Sequence, residues 1–460
     1  MKFILSSVAS CSNRIGYIKD IERLPGLMLE TPMLLLYAKG GSIPHLTYEV
    51  LQMVTKDKQP LHIPISTVAH CHEAVTAFRK GIADFTGLKE YFTFCSIHDP
   101  AVATPYGFND KNTISIWPRN GRKQLDPDKY MDMIEAFQPD MYQALCDGDT
   151  DLKSSKKRIH KSIDKSLMFF EKCLERHEKS EVLKKSAILG VVEGGYSIEG
   201  REKSAKYLAD FPVFGYVIDG LHKNGPDVEN LTFEDVREIL EESLKHLPNE
   251  KFRILHGCWN PGTVLSMVEL GIDAFDSSYP YTVTERGGAL IFQNCINNLN
   301  IPSSATDALN AAEPVTDIEL KPETSISAQS SSEPPEKKKI STQEASHAEE
   351  DKYVVSKTQG HTTESQSSRL NKIYELSLLD EKYAEDFTPL SRSCSCLTCQ
   401  KHTRAYIHHL LQTHELLGPV LLTIHNLHHY MEFFKSIREA IKSNSLESLK
   451  RCVNERNDVS

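Results

Sequence analysis

Three cysteines near the C-terminus constrain this chain more than any other feature of its sequence. Cys394, Cys396 and Cys399 form a Cys-x-Cys-x2-Cys motif within the segment SCSCLTCQKH. Three thiolates from one short loop, together with one imidazole, make the closed tetrahedral shell of a structural zinc site. The alternatives are cysteines that are simply buried and cysteines that form disulfide bonds. Because the N-terminal sequence does not have the pattern of a secretory signal, a reducing compartment is expected and zinc is favoured.

The fourth ligand of this site is expected to be a histidine. His425 lies in the apolar run LLTIHNL, on an element that must fold back onto the cysteine loop. His402 follows Cys399 by only three residues and is a poor candidate, because it is too close to complete the shell. Spacing favours His425 but leaves open the other histidines of this region, which are His408, His409, His414, His428 and His429.

The composition is that of a globular protein with one long polar segment. The chain has 460 residues, of which 40% are hydrophobic, so it can bury a substantial core. No run reaches the roughly 18 apolar residues that span a bilayer. The N-terminal MKFILSSVAS runs into a polar sequence and is interpreted as a first strand rather than a signal peptide. The net charge of −10 argues against indiscriminate nucleic-acid binding.

Residues 303–370 differ from the rest of the chain. They are rich in Ser, Thr, Glu and Lys, contain runs such as SSSEPPEKKK, and include a single aromatic residue, a tyrosine. Such a segment cannot bury enough apolar surface to offset the entropy lost on ordering. It is therefore predicted to be a disordered insertion.

Strand-like and helical patterns alternate before this insertion. Strands are predicted at FTFCSI, SAILGVVEGG, FGYVIDGL, FRILHGC, IDAFDSSYP and GALIF. Helices are predicted at DKYMDMIEAF, MYQAL, TFEDVREILEESLKHL and PGTVLSMVELGI, and a long helical region from His425 to about Cys452. The alternation predicts an α/β fold with a parallel sheet covered by helices. The pattern alone does not separate a barrel from a doubly wound sheet.

A basic amphipathic helix is predicted over residues 153–172. Its polar face carries Lys156, Lys157 and Arg158, and its apolar stripe includes Ile159 and Ile163. The simpler interpretation is an outer helix with a solvated basic face. The functional interpretation is that the three cations contact the phosphates of an RNA.

The cysteine region resembles a known family. The spacing Cys-x-Cys-x2-Cys-x25-His, with YAEDFTPL before it and RAYIHHL within it, is similar to the zinc subdomain of the tRNA-guanine transglycosylases. The resemblance selects His425 as the fourth ligand. It implies a TIM (β/α)8 barrel with an antiparallel N-terminal cap and a C-terminal zinc-binding subdomain. The cap and most of the barrel would occupy residues 1–302, and the zinc subdomain with closing helices residues 371–460.

Members of this family exchange a guanine in the tRNA anticodon for a modified base, which is queuine in eukaryotes. The reaction needs one carboxylate that attacks C1′ of the ribose and a second one that manages protons near the base. The family's nucleophile lies in a Gly-(Val/Ile)-Asp-x-Phe-Asp segment, and GIDAFDSSYP places Asp276 at that point. The alternative for Asp276 is a strand-end aspartate that caps a loop.

The family motifs around this aspartate are altered. The window of Asp-Ser-Gly-Gly-Phe-Gln reads FCSIHDPAVATPYG, which keeps Asp99 but lacks the glycines. Gly-Gly-Leu-Ala-Val-Gly-Glu is replaced by IDGLHKNG, Gln-Gly-Gly by EGG starting at Glu193, and the arginine-rich segment by YTVTERGG with Arg286 alone. These changes predict a non-catalytic accessory subunit. The alternatives are an active transglycosylase that uses Asp276 and, more distantly, a free-standing zinc-stabilised RNA-binding protein.

The resemblance also implies the partners of such a subunit. They are a catalytic subunit in a heterodimer, tRNAs with GUN anticodons that are modified at the wobble position, and one structural zinc ion. Homodimerisation in the absence of the partner is compatible with the resemblance. The expected location is the cytoplasm, with peripheral attachment to the mitochondrial outer membrane.

Overall fold

The computed structural model describes residues 1–8, 13–293 and 373–455. The predicted insertion at 303–370 and the boundaries at residues 302 and 371 lie outside the described residues. The division of the chain into residues 1–302, 303–370 and 371–460 therefore stays a prediction.

An antiparallel sheet of three strands caps one end of the molecule, as predicted. Its strands are β1 Lys2–Val8, β2 Arg14–Lys19 and β3 Leu29–Thr31. Arg14 donates from Nε to Oδ1 of Asp273 at 2.8 Å and from Nη2 to the carbonyl of Lys251 at 2.8 Å. Both acceptors precede barrel strands, so the sheet covers the N-terminal end of the barrel. Function in such barrels lies at the opposite, C-terminal end.

The centre is a closed barrel of eight parallel strands, which confirms the (β/α)8 prediction. The last barrel strand pairs with the first, with Asp276 opposite Leu35, and this pairing closes the ring. A hairpin of β7 and β8 is inserted between the third and fourth barrel strands. The barrel strands and the hairpin are β4 Met33–Tyr37, β5 Leu61–Pro64, β6 Thr93–Ser96, β7 Ile114–Ile116, β8 Lys123–Leu125, β9 Met141–Gln143, β10 Ala187–Val192, β11 Gly215–Ile218, β12 Phe252–Ile254 and β13 Ala274–Asp276.

Helices surround this barrel. Polar side chains fix where several of them begin: Asp126 accepts from the Lys129 amide at 2.9 Å, and Asn260 accepts from the Thr263 amide at 2.9 Å. The helices are α1 Tyr48–Val54, α2 Ile65–Val68, α3 His72–Phe78, α4 Gly81–Phe85, α5 Pro127–Phe137, α6 Lys156–Lys179, α7 Ile198–Ala209, α8 Phe233–Lys245, α9 Pro261–Glu269 and α10 Ser278–Glu285.

The C-terminal part packs back onto the barrel through one long helix. Its elements are β14 Gly288–Leu290, β15 Glu375–Ser377, α11 Leu397–Lys401, α12 Arg404–Gln412, α13 Leu417–Lys442 and α14 Leu446–Asn454. Phe433 and Ile437 of α13 belong to the main core, whereas Leu421 and Leu422 join a second core with Ile407. Helix α13 therefore links the two cores.

One local prediction is wrong, and two others are right in the type of element but differ in its place or bounds. MYQAL is not helical, because its first three residues form β9, which pairs on both sides and is fully buried. GALIF contains the predicted buried strand, β14, which lies outside the barrel and pairs antiparallel with β15. The C-terminal helix begins before His425, and the chain turns at Asn444, whose φ is 56°, before α14. Across the parts of the chain described here, no helix is both long and apolar enough to cross a membrane.

Candidate metal centre and the barrel mouth

The four predicted metal ligands meet in the structure. The Sγ atoms of Cys394, Cys396 and Cys399 lie 3.6, 3.6 and 3.2 Å from Nδ1 of His425. All four ligand atoms are within 4.8 Å of one another. A tetrahedral zinc ion, with bonds of about 2.3 Å to sulfur and 2.0 Å to nitrogen, places its ligands roughly 3.5 Å apart. The cluster therefore fits a closed tetrahedral shell and can hold a metal ion.

Hydrogen bonds outside the cluster orient its histidine. Nε2 of His425 lies 2.8 Å from the carbonyl of Leu290, so this nitrogen carries the proton and Nδ1 is free to face the sulfurs. The next residue, Asn426, is fully buried and accepts from the Leu290 amide at 2.8 Å. On the cysteine side, Thr398 of α11 donates to the carbonyl of Leu421 at 2.7 Å. These bonds hold the cysteine loop, α13 and β14 in one arrangement.

The other histidines of the region have different partners. His408 lies with Nδ1 2.8 Å from the carbonyl of Leu378, and His429 packs edge-on against Phe292 at 4.5 Å between ring centroids. Among the residues that the structure describes, His425 is the one histidine that joins the three cysteines. The four-ligand group does not include His402, His409, His414 or His428.

Asp276 lies where the sequence predicts it, at the C-terminal end of β13, but its carboxylate is enclosed. It is 2% exposed. Oδ2 accepts from the Gly257 amide at 2.7 Å and Oδ1 from the Ser278 amide at 2.7 Å. Burial raises the pKa of Asp276, and these backbone donors oppose that shift. The geometry matches the loop-capping alternative.

One cavity at the barrel mouth is small, with a volume of about 20 Å³. His98, Asp219, His222 and His256 are among its lining residues. A space of this size holds about one water molecule. This cavity by itself is too small for a purine base.

A second cluster of buried ionisable residues lies at the mouth, and the sequence motifs pointed to only one of its members, Glu193. Ligand atoms of Cys146, Glu193 and Asp219 lie within 4.8 Å of one another. The buried Arg201 lies nearby but donates to the carbonyls of Gly195 and Val192, at 2.9 and 2.8 Å. Burial and the adjacent carboxylate raise the pKa of Glu193 well above its usual range. The sequence could have predicted part of this cluster, because Glu193 and Asp219 each directly follow a barrel strand.

A wider groove of about 730 Å³ lies beside this cavity. Lys39, Asp99, Trp117 and Arg119 are among the residues that border it. The Tyr37 hydroxyl donates to both oxygens of Asp99, at 2.8 and 2.9 Å. Burial raises the pKa of Asp99, and these hydrogen bonds oppose the shift. Asp99 thus lies at the C-terminal end of the barrel, bound to a tyrosine.

The three predicted phosphate contacts divide into two kinds. Lys156 and Lys157 are exposed at the start of α6. Arg158 turns inward and pairs with the buried carboxylate of Asp147. Burial opposes ionisation of Asp147, but the ion pairs with Arg158 and Lys165 lower its pKa. The two lysines stay candidates for RNA contact, whereas Arg158 is held by the fold.

Arg286 is held in the same way. It donates from Nη1 and Nη2 to Glu229 at 2.9 and 2.8 Å, and from Nε and Nη2 to Glu375 at 3.1 and 2.8 Å. Burial opposes its charge, but the two carboxylates raise the pKa of Arg286. It joins the loop after α10 to β15.

A capped (β/α)8 barrel with a three-cysteine, one-histidine cluster is the fold that the sequence resemblance implied. Comparison with known proteins agrees, since the family model described as Queuine tRNA-ribosyltransferase matches residues 10–458. The chain belongs to this family.

Its relatives match over almost their whole length. The chain is similar to Queuine tRNA-ribosyltransferase accessory subunit 2 of Homo sapiens, with 37% identity over 455 residues, 98% of this chain and 99% of that protein. The protein of the same name from Danio rerio is 37% identical over 455 residues, covering 98% of each chain. That of Anopheles gambiae is 38% identical over 454 residues, 98% of this chain and 89% of the relative.

Proposed function

We propose that this chain is the accessory subunit of a eukaryotic tRNA-guanine transglycosylase and has no base-exchange activity of its own. It would pair with a catalytic subunit that exchanges guanine for queuine at the wobble position of tRNAs with GUN anticodons. The observation that carries this proposal is the full-length similarity to proteins named accessory subunit 2, at 37% identity for the human one.

The enclosed Asp276 supports the lack of activity. A nucleophile must reach C1′ of a ribose, with the reacting atoms about 3 to 3.5 Å apart. Both oxygens of Asp276 already accept backbone hydrogen bonds, and the residue is 2% exposed. Asp276 is a lining residue of neither the small cavity nor the wider groove at the barrel mouth. Attack by Asp276 would require the loops at Gly257 and Ser278 to open.

Exchange of labelled guanine into tRNA tests this proposal. The purified chain alone should give background exchange, and exchange should appear when the catalytic subunit is added. In the heterodimer, Asp276→Asn should leave the rate within about twofold, because the residue does not attack the substrate. Removal of a working nucleophile lowers the rate by several orders of magnitude.

Controls separate catalysis from assembly. Size-exclusion chromatography and tRNA binding are measured on the same Asp276→Asn sample, since this residue also caps a loop. Exchange that falls to background while the dimer and tRNA binding survive would establish the alternative, an active transglycosylase that uses Asp276. Exchange by the chain without its partner would also contradict the proposal.

The proposed cofactor is one structural zinc ion, held by Cys394, Cys396, Cys399 and His425. Four protein ligands leave no open position, so the ion would supply folding energy rather than chemistry. It would tie the cysteine loop to α13, which packs on the barrel. The donor set of three thiols and an imidazole, with the Leu290 carbonyl on the far side of the ring, supports this choice.

Contact with tRNA is proposed for Lys156 and Lys157 at the exposed start of α6. Their replacement by Glu should weaken tRNA binding and reduce its dependence on salt, because fewer counterions are released. Lys56 and Lys89 provide a matched control, since both are exposed and Lys89 precedes a barrel strand at the opposite end. Equal loss from both pairs of substitutions would show that net charge, rather than this site, sets affinity.

We further propose that the protein acts in the cytoplasm, with peripheral attachment to the mitochondrial outer membrane through its partner. This rests on the family resemblance alone. Cell fractionation with and without the catalytic subunit tests it: a membrane-bound pool that persists without the partner would contradict attachment through the partner. Analytical ultracentrifugation of the chain alone tests homodimerisation.

A further inference from the structure

Three potential metal ligands converge at the barrel mouth, away from the cysteine cluster. Cys146, Glu193 and Asp219 follow β9, β10 and β11, which are neighbours in the barrel. Their ligand atoms lie within 4.8 Å of one another, and the Cys146 thiol lies 3.7 Å from Oδ2 of Asp219. Because each side chain comes from a different strand end, the arrangement is fixed by the barrel itself.

The carboxylate of Glu193 provides a second, independent observation. The residue is 0% exposed, and within the described part of the chain its carboxylate faces the Cys146 thiol but accepts no hydrogen bond from a nitrogen or oxygen donor. A Cβ atom built on Gly148 would lie 3.3 Å from Oε1 of Glu193 and 2.8 Å from Oδ2 of Asp219, so both carboxylates face this glycine. A buried polar group without a partner is costly, and such groups usually bind a ligand or water.

Neighbouring cations do not bind this carboxylate. The hydrogen bonds of Arg201 go to backbone carbonyls, and Arg158 is paired with Asp147. The carboxylates of Glu193 and Asp219 therefore have one nearby guanidinium, that of Arg201, which does not hydrogen-bond to Glu193. The positive charge of Arg201 balances one of these carboxylates. A divalent cation would balance the other carboxylate and a Cys146 thiolate.

We propose that Cys146, Glu193 and Asp219 hold a second metal ion, a divalent first-row transition metal with zinc as the first candidate. A thiolate favours zinc over magnesium or calcium, and zinc also accepts carboxylate oxygen. Binding releases the thiol proton to solvent. This inference does not depend on the proposed accessory role.

The adjacent cavity supplies the fourth coordination position. Its volume of about 20 Å³ has room for one water molecule, and Gly148, Asp219 and His256 line it. Both ring nitrogens of His256 are buried without a partner in the described chain. The proposed ion would bind a water molecule there, and His256 would hydrogen-bond to that water.

The metal content of the full-length chain tests the proposal. After incubation with zinc and desalting, elemental analysis should find about two zinc ions per chain, one for each cluster. Cys146→Ala and Glu193→Gln should each lower the content to about one. Cys95→Ala, which removes a buried thiol from β6, should leave it at about two.

X-ray absorption at the zinc edge gives a readout that does not need a variant to fold. With both sites filled, the mean number of sulfur ligands per zinc should be about two, because one site has three cysteines and the other one. About one zinc per chain with about three sulfurs in the unaltered protein would overturn the proposal. An unchanged zinc content in a folded Cys146→Ala variant would overturn it as well.

Discussion

Asn426 should be one of the most sensitive positions outside the metal ligands. It follows His425 on α13, is 0% exposed, and makes three hydrogen bonds to the segment around β14. Nδ2 donates to Oγ1 of Thr284 at 2.9 Å and to the carbonyl of Gly288 at 3.0 Å, and Oδ1 accepts from the Leu290 amide at 2.8 Å. Replacement by Ala leaves two backbone groups buried without partners.

The expected cost follows from those two groups. Each buried polar group that loses its partner costs about 1 to 3 kcal/mol, so Asn426→Ala should lower the free energy of unfolding by about 4 kcal/mol. Thr284 contributes little to this sum, because its hydroxyl still donates to the Pro280 carbonyl at 3.0 Å. Because the Leu290 carbonyl also orients His425, we expect weaker metal retention in a chelator as a second effect.

Urea unfolding of the zinc-loaded chain measures this cost, with Asn112→Ala as an exposed control. Asn426→Asp sharpens the test, since it keeps one acceptor but directs a carboxylate oxygen at the Gly288 carbonyl. Folding then favours the protonated carboxyl, whose pKa is raised in the folded state. The variant should regain stability as the pH falls and lose it as the pH rises. A cost below about 1 kcal/mol for Asn426→Ala would refute the reasoning.

Three further variants test other parts of the structure. Cys396→Ser should lose the cluster metal and unfold the C-terminal part, as measured by elemental analysis and proteolysis, and full retention of zinc would contradict the ligand assignment. Arg158→Met should cost about 1.5 to 3 kcal/mol at neutral pH. Because Arg158 helps to lower the pKa of Asp147, its contribution should fade as the pH falls through the acidic range, and a pH-independent cost would contradict this. Arg286→Met should cost about 3 kcal/mol in urea unfolding but leave the salt dependence of tRNA binding unchanged, and a changed salt slope would indicate phosphate contact.

The three-cysteine, one-histidine cluster was predictable because its sequence pattern is mostly local. Three cysteines in six residues can meet around one ion in almost any fold, and the family resemblance supplied His425. The barrel was predictable from the alternation of buried strands and helices, although the resemblance was needed to choose it over an open sheet. The helix predicted at MYQAL was wrong because the element there is short. Strand β9 has three residues, and its pairing with β6 and β10 determines that it is a strand.

The roles of individual charged residues were less predictable, because they depend on partners outside the helix or strand that carries the residue. Arg158 looked like part of a basic face, but its partner Asp147 lies on the loop that precedes α6. The environment of Glu193 is set by Cys146 and Asp219, which come from neighbouring strand ends. A helical pattern gives the face on which a residue lies but does not say which carboxylates the barrel places beside it.

These ion pairs also restrict how the chain can bind RNA. Phosphate contact requires a cation that can give up its present partner at small cost. Arg158 and Arg286 fail this condition, because their carboxylate partners Asp147 and Glu229 are 1% and 6% exposed and would each lose a charged partner while buried. An exposed lysine such as Lys156 would give up only its water contacts when it binds a phosphate. Phosphate contact should therefore come from exposed cations such as Lys156, which give affinity that depends on salt without reading the base sequence. That is what a subunit needs if it positions tRNA while a partner carries out the exchange.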